Sequence, residues 1–426
     1  MEINALRELI SGDGLREKFL EIYRDAAAPE EQKKRYLRTL DEFEKAFGEA
    51  DVSIYSAPGR TEIGGNHTDH QHGEVLAASI NRDAIAVVAK RDGGTVRLIS
   101  DGYPMITVDS SDTAYRNNEE GTTTGLIRGV LAGTAERGYK TGGFDAWVTS
   151  SVLVGAGLSS SAAFETLVGT VVSGLYNEGR ITATEIAMMG QMAENKYFGK
   201  PCGLMDQMAC SVGSLVHIDF NDPGKPVTER LDLPAAADGY RLCITDTRGS
   251  HADLTPDYAA VPAEMCAVAE YFGKKVLREV PSEKVREAIP ELRKKLGDRA
   301  VLRALHFYAE NERVRKEAAA IKAGDMDAFL KEVRSSGDSS FKYLQNVYTN
   351  HDVAHQNVSL SLCVAEQALG GRGACRVHGG GFAGTMQAWV PEELVDEYRK
   401  AEDAVFGEGA CAVLSIRGCG GVQMCG

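Results

Sequence analysis

The chain has 426 residues, 43% of them hydrophobic and 25% charged, and a formal charge of −14 at neutral pH. That length exceeds what one core usually serves and suggests two domains of roughly 200 residues. The negative charge argues against nucleic-acid binding, and no apolar run approaches the ~20 residues that span a bilayer, which argues against a membrane protein.

Nine cysteines scattered singly from Cys202 to Cys425 form no disulfide framework, and the N-terminus carries no basic-then-apolar signal, so the expected compartment is the cytoplasm. Residues 1–48 place Leu6, Ile10, Leu15, Phe19, Tyr36, Leu40 and Phe43 at helical spacing. They predict a helical extension, broken at Gly12-Asp13-Gly14 and Ala28-Pro29, that packs on the main body.

Strands are predicted at 52–56, 85–89, 95–99 and 105–108, with Arg91-Asp92-Gly93-Gly94 as a hairpin turn. A helix over 123–137, a strand over 144–149, a buried helix over 163–172 and a second helix over 183–198 follow. Strands at 214–218 and 240–244 flank the Pro/Gly/Asp-rich segment 221–225, which marks a domain boundary. Residues 262–369 read as mostly helical, with capping signals at Ser282 and Asp325, and the chain closes as strand, glycine loop, strand, helix, strand.

Chemistry concentrates in four stretches. The first, Val154-Gly155-Ala156-Gly157-Leu158-Ser159-Ser160-Ser161-Ala162, joins a strand to a helix with no polar face. Its glycines let the backbone approach a ligand, and its serines crowd a helix start where unpaired N–H groups favour anions. No lysine follows Gly157, so this is not a G-x-x-x-x-G-K-[ST] loop, and the missing charge must come from a metal ion or a basic residue elsewhere. The plainer reading is a serine-capped helix.

The second, Ala57-Pro58-Gly59-Arg60 through His67-Thr68-Asp69-His70, reads as a polar loop hung on a strand end. Arg60 suits a phosphate or carboxylate, and Asn66, His67 and Asp69 offer the mixed donors and acceptors that sugar hydroxyls require. A rival reading takes His67, His70 and His72 with Asp69 as a metal site, and a weaker one does the same for Cys411, Cys419 and Cys425.

The third, Gly203-Leu204-Met205-Asp206-Gln207-Met208, sets one carboxylate at a helix start. Beside Arg60, Asp206 would stay ionised and accept a proton from a hydroxyl; alone, it is a dipole partner. Ser161 with Glu194 supplies the hard oxygen ligands that Mg²⁺ prefers. The fourth, Arg376-Val377-His378-Gly379-Gly380-Gly381-Phe382-Ala383-Gly384-Thr385, reads as a loop approached closely by another backbone or a ligand.

In this order and spacing, over roughly residues 45–420, the motifs resemble those of the galactokinases in the GHMP small-molecule kinase superfamily. The resemblance implies an α/β (α+β type) fold with mixed sheets and helices: a helical extension (1–48), an N-terminal kinase domain (49–222) and a C-terminal kinase domain (223–426), with the active site between the two domains. It implies phosphoryl transfer from ATP to the anomeric hydroxyl of a free monosaccharide, galactose first.

Carried over by position, Gly155, Gly157, Leu158, Ser159, Ser160, Ser161 and Ala162 hold ATP, and Ser161 and Glu194 hold Mg²⁺. Asp206 is the base, Arg60 stabilises the reacting groups, and Asn66, His67, Asp69, Gly203 and Tyr258 face the sugar. The departures are Glu62 for an Asn, Gly64 for an Ile, Asn66 for a Glu, His70 for a Tyr, Leu153 for a Pro and His378 for a small or hydroxyl residue. A Trp-x-Asn-Tyr element expected near 122–126 is absent. The phosphoryl-transfer residues are all present, while another sugar, or a sugar- and nucleotide-binding sensor without turnover, stays open beside galactose.

Overall fold

The computed structural model describes residues 1–25, 27–152, 157–249 and 254–426. Two sheets carry the strands. The first runs β12 (Val422–Cys425), β1 (Val52–Gly64), β2 (Glu74–Lys90), β5 (Phe144–Ser150), β3 (Thr95–Ser100), β4 (Ile106–Asp109), and β6 (Leu215–Asp219) pairs with β2 and with β7 (Val227–Leu231). The second runs β11 (Cys411–Leu414), β8 (Tyr240–Asp246), β10 (Thr385–Pro391), β9 (Ala374–His378), all antiparallel. Sheet membership does not divide at residue 223, because β7 and β12 both lie beyond it and join the first sheet.

The polar stretch after residue 56 is strand rather than loop. β1 continues through Pro58 and Arg60 to Gly64, with register breaks between Pro58 and Arg60 and between Glu62 and Gly64. Proline is tolerated there because β12 pairs only with Ile54, Tyr55 and Ser56, so the missing N–H falls outside that ladder. Bulges of this kind re-aim side chains, and here they bring Arg60 to the rim of the serine loop, whose Leu158 carbonyl accepts the Arg60 N–H at 3.0 Å.

The turn at 91–94 reverses the chain but makes no hairpin, since β5 inserts between β2 and β3, antiparallel to one and parallel to the other. Asp145 on β5 explains the insertion: Arg97 reaches it through Nε and Nη2 at 2.6 and 2.7 Å, and Arg91 at 3.1 Å, so one carboxylate ties both flanking segments.

The N-terminal helices Ile3–Ser11, Arg16–Tyr23 and Ala28–Phe47 break at Gly12-Asp13-Gly14 as expected and, the second time, just before Ala28-Pro29, which begin the third helix, and they bury Leu6, Ile10, Phe19, Tyr36, Leu40 and Phe43 against Val52, Ile54, Ile85 and Val87 of the first sheet. Buried Asp83 fastens them, accepting from Tyr23, Arg35, Ser56 and Arg417. Burial alone would raise that carboxyl, but Arg35 and Arg417 hold it below its usual range. Of the two expected caps, Asp325 accepts from the Ala328 N–H at 3.0 Å, whereas Ser282 is the first helical residue and bonds Glu283 instead.

Among the described residues no helix is long and apolar enough to cross a membrane. All nine cysteines are free.

Candidate active site

A cleft of about 540 Å³ opens between the two sheets. Arg60, Gly157, Ser159, Ser160, Ser161, Lys200 and Asp206 line one bank, and Tyr258, His378 and the glycine loop 379–384 line the other. The helix Ser160–Asn177 aims its N-terminus into this space.

Ser159 does not cap that helix. It adopts φ 59° and its hydroxyl donates to Asp206 Oδ2 at 2.7 Å, so the first N–H groups of the helix receive no side-chain cap. The plain serine-cap reading is thereby corrected: Asp206 competes for the hydroxyl, and the helix start keeps its donors for an anion. Gly157, at φ 68°, has to be glycine, because a Cβ there would lie 2.6 Å from Thr385 Oγ1. Gly155 and Leu153 lie outside the described residues. Leu158 and Ala162 point into the core, so only their backbone is available to a ligand.

Asp206, in the first turn of the helix Met205–Val212, is gripped by Arg60 through Nε at 2.6 Å and Nη2 at 2.5 Å. Burial would raise its carboxyl, yet the Arg60 charge and the hydrogen bonds from Arg60 and Ser159 outweigh it and hold Asp206 below the usual carboxylate range. Behind them, Ser161 Oγ donates to Glu194 Oε1 at 3.0 Å. The helix predicted over 183–198 is regular only to Met192 and then widens into a π-turn, Ala193–Phe198, which carries Glu194.

Three polar residues escaped the sequence reading. Gln207 Nε2 bridges Glu194 Oε2 at 2.8 Å and Glu165 Oε2 at 3.1 Å. Burial, then the Glu194 charge, pushes the Glu165 carboxyl well above its usual range. Lys200 Nζ lies 2.9 Å from Glu194 Oε1. The only sequence signal for Lys200 was a lysine in the loop just before the Asp206 motif.

Asp69 packs so tightly on Gly203 that a Cβ at Gly203 would sit 1.9 Å from Asp69 Oδ2. Burial pushes the Asp69 carboxyl up to about 6, against the pull of the His70 N–H. His67 donates from Nε2 to the Gly380 carbonyl at 3.0 Å, and burial keeps it neutral by lowering it to about 4. Tyr258 bonds the Gly381 carbonyl at 2.7 Å.

Asn66 is different: it is 0% exposed. Its Nδ2 donates to Glu62 Oε1 at 2.9 Å and to the Gly379 carbonyl at 2.7 Å, and its Oδ1 accepts from Asn346 at 2.7 Å and Ser340 at 3.3 Å. Every valence of the amide is taken by protein, which leaves none to face a sugar. Among the described residues no group of three or more His, Cys, Asp or Glu side chains is placed to hold a metal, neither at His67, His70 and His72 nor at Cys411, Cys419 and Cys425.

The family model for the galactokinase galactose-binding signature matches residues 41–90, and that for the GHMP kinase N-terminal domain matches 125–214. A galactokinase of Glaesserella parasuis is 33% identical over 364 residues, covering 84% of this chain and 90% of the relative. The chain belongs to the galactokinase family.

A galactokinase of Streptomyces coelicolor is 31% identical over 375 residues, covering 87% of this chain and 92% of the other. Among solved structures, galactokinase of Lactococcus lactis, crystallised with galactose, superposes with a TM-score of 0.75 at 26% identity, covering 90% of this chain and 98% of that one. Methanococcus jannaschii mevalonate kinase shares the fold, with a TM-score of 0.61 at 15% identity over 86% of this chain and 98% of that one.

Set against the family pattern, Glu62 and Asn66 are a reciprocal exchange: Asn and Glu have changed places, and the two side chains are hydrogen-bonded to each other. Arg376 Nη2, 2.8 Å from Glu62, supports the relocated carboxylate. His378, another departure, joins strands. Thr61 and the Glu62 N–H donate to its Nε2 and its Nδ1–H donates to Thr385, while burial and the nearby arginines lower it to about 3.

Proposed function

We propose that the chain transfers the γ-phosphoryl group of ATP to the anomeric hydroxyl of galactose, giving galactose 1-phosphate and ADP. The observation that carries this reading is the Arg60–Asp206 pair set beside an uncapped, serine-lined helix start in one cleft. Phosphoryl transfer needs placement and charge neutralisation more than covalent chemistry, and these groups supply both.

The helix start and serine loop hold the phosphates, and Asp206 orients the sugar hydroxyl. The hydroxyl oxygen bonds the γ-phosphorus as the bond to the bridging oxygen breaks, ADP leaves with that electron pair, and Asp206 takes the hydroxyl proton. Arg60 keeps Asp206 ionised and thereby makes it a weak base, so proton transfer comes late, which suits a loose transition state. Ser161 and Glu194 fit Mg²⁺ through their hard oxygens, and the ion would neutralise phosphate charge there. His67, Asp69, Gly203 and Tyr258 form the sugar side, and Asn66 supports it from beneath.

Nine free cysteines suit a cytoplasmic enzyme. A sensor without turnover is disfavoured by the intact Arg60–Asp206 pair. The Glu62–Asn66 exchange does not favour a different sugar, since both side chains are buried and bonded to each other.

The test is ADP release with Mg²⁺-ATP against a panel of free sugars, with Asp206→Asn as control and phosphorus NMR to locate the product's phosphate. Galactose-dependent turnover to an anomeric phosphate is expected. Turnover on another sugar only would move the substrate, and silence with ATP still bound would favour the sensor.

A further inference from the structure

The cleft poses a charge problem. Arg60 is committed through two nitrogens to Asp206, and that pair is electrically neutral. The serine loop has no lysine of its own. A nucleotide triphosphate brings about four negative charges, and helix-end N–H groups offset only a fraction of one.

Lys200 lines the same cleft as Ser159, Ser160, Ser161 and Asp206. Its backbone is fixed, with the N–H donating to the Glu194 carbonyl at 3.0 Å. Its side chain is 63% exposed and, among the described residues, is held at its tip, Nζ lying 2.9 Å from Glu194 Oε1. That oxygen also accepts from Ser161, so the ammonium sits at the wall where the helix start faces the cleft. Glu194 is 3% exposed, and a buried carboxylate without a counter-charge would be costly.

We propose that Lys200 is the phosphate-binding cation of this cleft, a tethered ammonium that pairs with Glu194 in the empty enzyme and directs its remaining N–H donors to the β- and γ-phosphates when nucleotide binds. The inference rests on the cleft being the nucleotide site. Four methylenes on a pinned backbone give the ammonium reach across the serine loop as a mobile point charge. Lys200 is thus the basic residue from elsewhere that the loop itself lacks.

Calorimetric titration of AMP, ADP and ATP, in EDTA and again in Mg²⁺, into the wild type, Lys200→Met and Lys200→Arg tests this. Lys200→Met is expected to weaken ADP and ATP by about tenfold or more in EDTA while AMP stays within about twofold, and Lys200→Arg is expected to recover most of the loss. The same ordering is expected in Mg²⁺. An equal loss for all three nucleotides, or no loss, overturns the proposal while wild-type ATP binding leaves the cleft's assignment standing. A wild type that phosphorylates nothing and binds no nucleotide removes both. A thermal melt of each variant checks that the fold is intact.

Discussion

The two banks of the cleft handle buried charge differently. On the bank proposed to bind phosphate, Arg60, Asp206, Ser159 and Lys200 are paired yet keep donors, acceptors or slack directed into the open space. Beneath the proposed sugar side, Asn66, Glu62, Arg376 and His378 close their hydrogen bonds with buried protein partners and expose almost nothing. The first arrangement is poised for a ligand; the second is a scaffold that fixes the shape of a neighbouring pocket. Arg60, Ser159 and Asp206 keep the family pattern while Glu62 and Asn66 exchange within it, because a reactive group has few chemical substitutes whereas a satisfied network tolerates an exchange of partners.

The comparison breaks most sharply at Asp206. Asp206→Asn is expected to lower turnover by about two powers of ten or more while sugar and ATP affinities stay within a few-fold. Steady-state rates with separate binding titrations decide it, and unchanged turnover would take Asp206 out of its role.

On the scaffold side the expected effect is on stability. Asn66→Glu sets a second carboxyl against Glu62 and is expected to cost about 2 kcal/mol in urea unfolding, whereas the double exchange Glu62→Asn with Asn66→Glu recovers most of it. If the single variant is neutral, Asn66 is not held as described.

Gly203 joins the two sides. Gly203→Ala drives a methyl against Asp69 and is expected to raise the sugar KM roughly tenfold, leaving the ATP KM near its wild-type value. Equal changes in both constants would separate Asp69 from the sugar.

The smallest effect is one of pH. Burial pushes the Asp69 carboxyl up to about 6, so it gains a proton as pH falls through that value and, in the proposed sugar site, would offer one acceptor fewer. Sugar kcat/KM is expected to fall several-fold between pH 7 and 5, and Asp69→Asn to flatten that limb. Asp206 does not set it, since Arg60 holds that carboxyl ionised to lower pH.

Motif order and apolar periodicity sufficed for the family resemblance, most helices and most of the residues that the fold gathers at the cleft. These are local properties: a glycine turn, a helix start and a 3.6-residue repeat are written in contiguous residues. What they left undecided depends on distant partners. That β1 runs on through Pro58 follows from where β12 stops; that 91–94 closes no hairpin follows from Asp145 binding Arg91 and Arg97 together; that Asn66 is buried follows from Glu62, Gly379, Ser340 and Asn346 arriving from three parts of the chain. Lys200 became visible only when the fold set its ammonium against Glu194. Local conformation is chosen by each residue's own sterics and periodicity, whereas the state of a buried polar group is chosen by whichever partners the tertiary structure delivers to it.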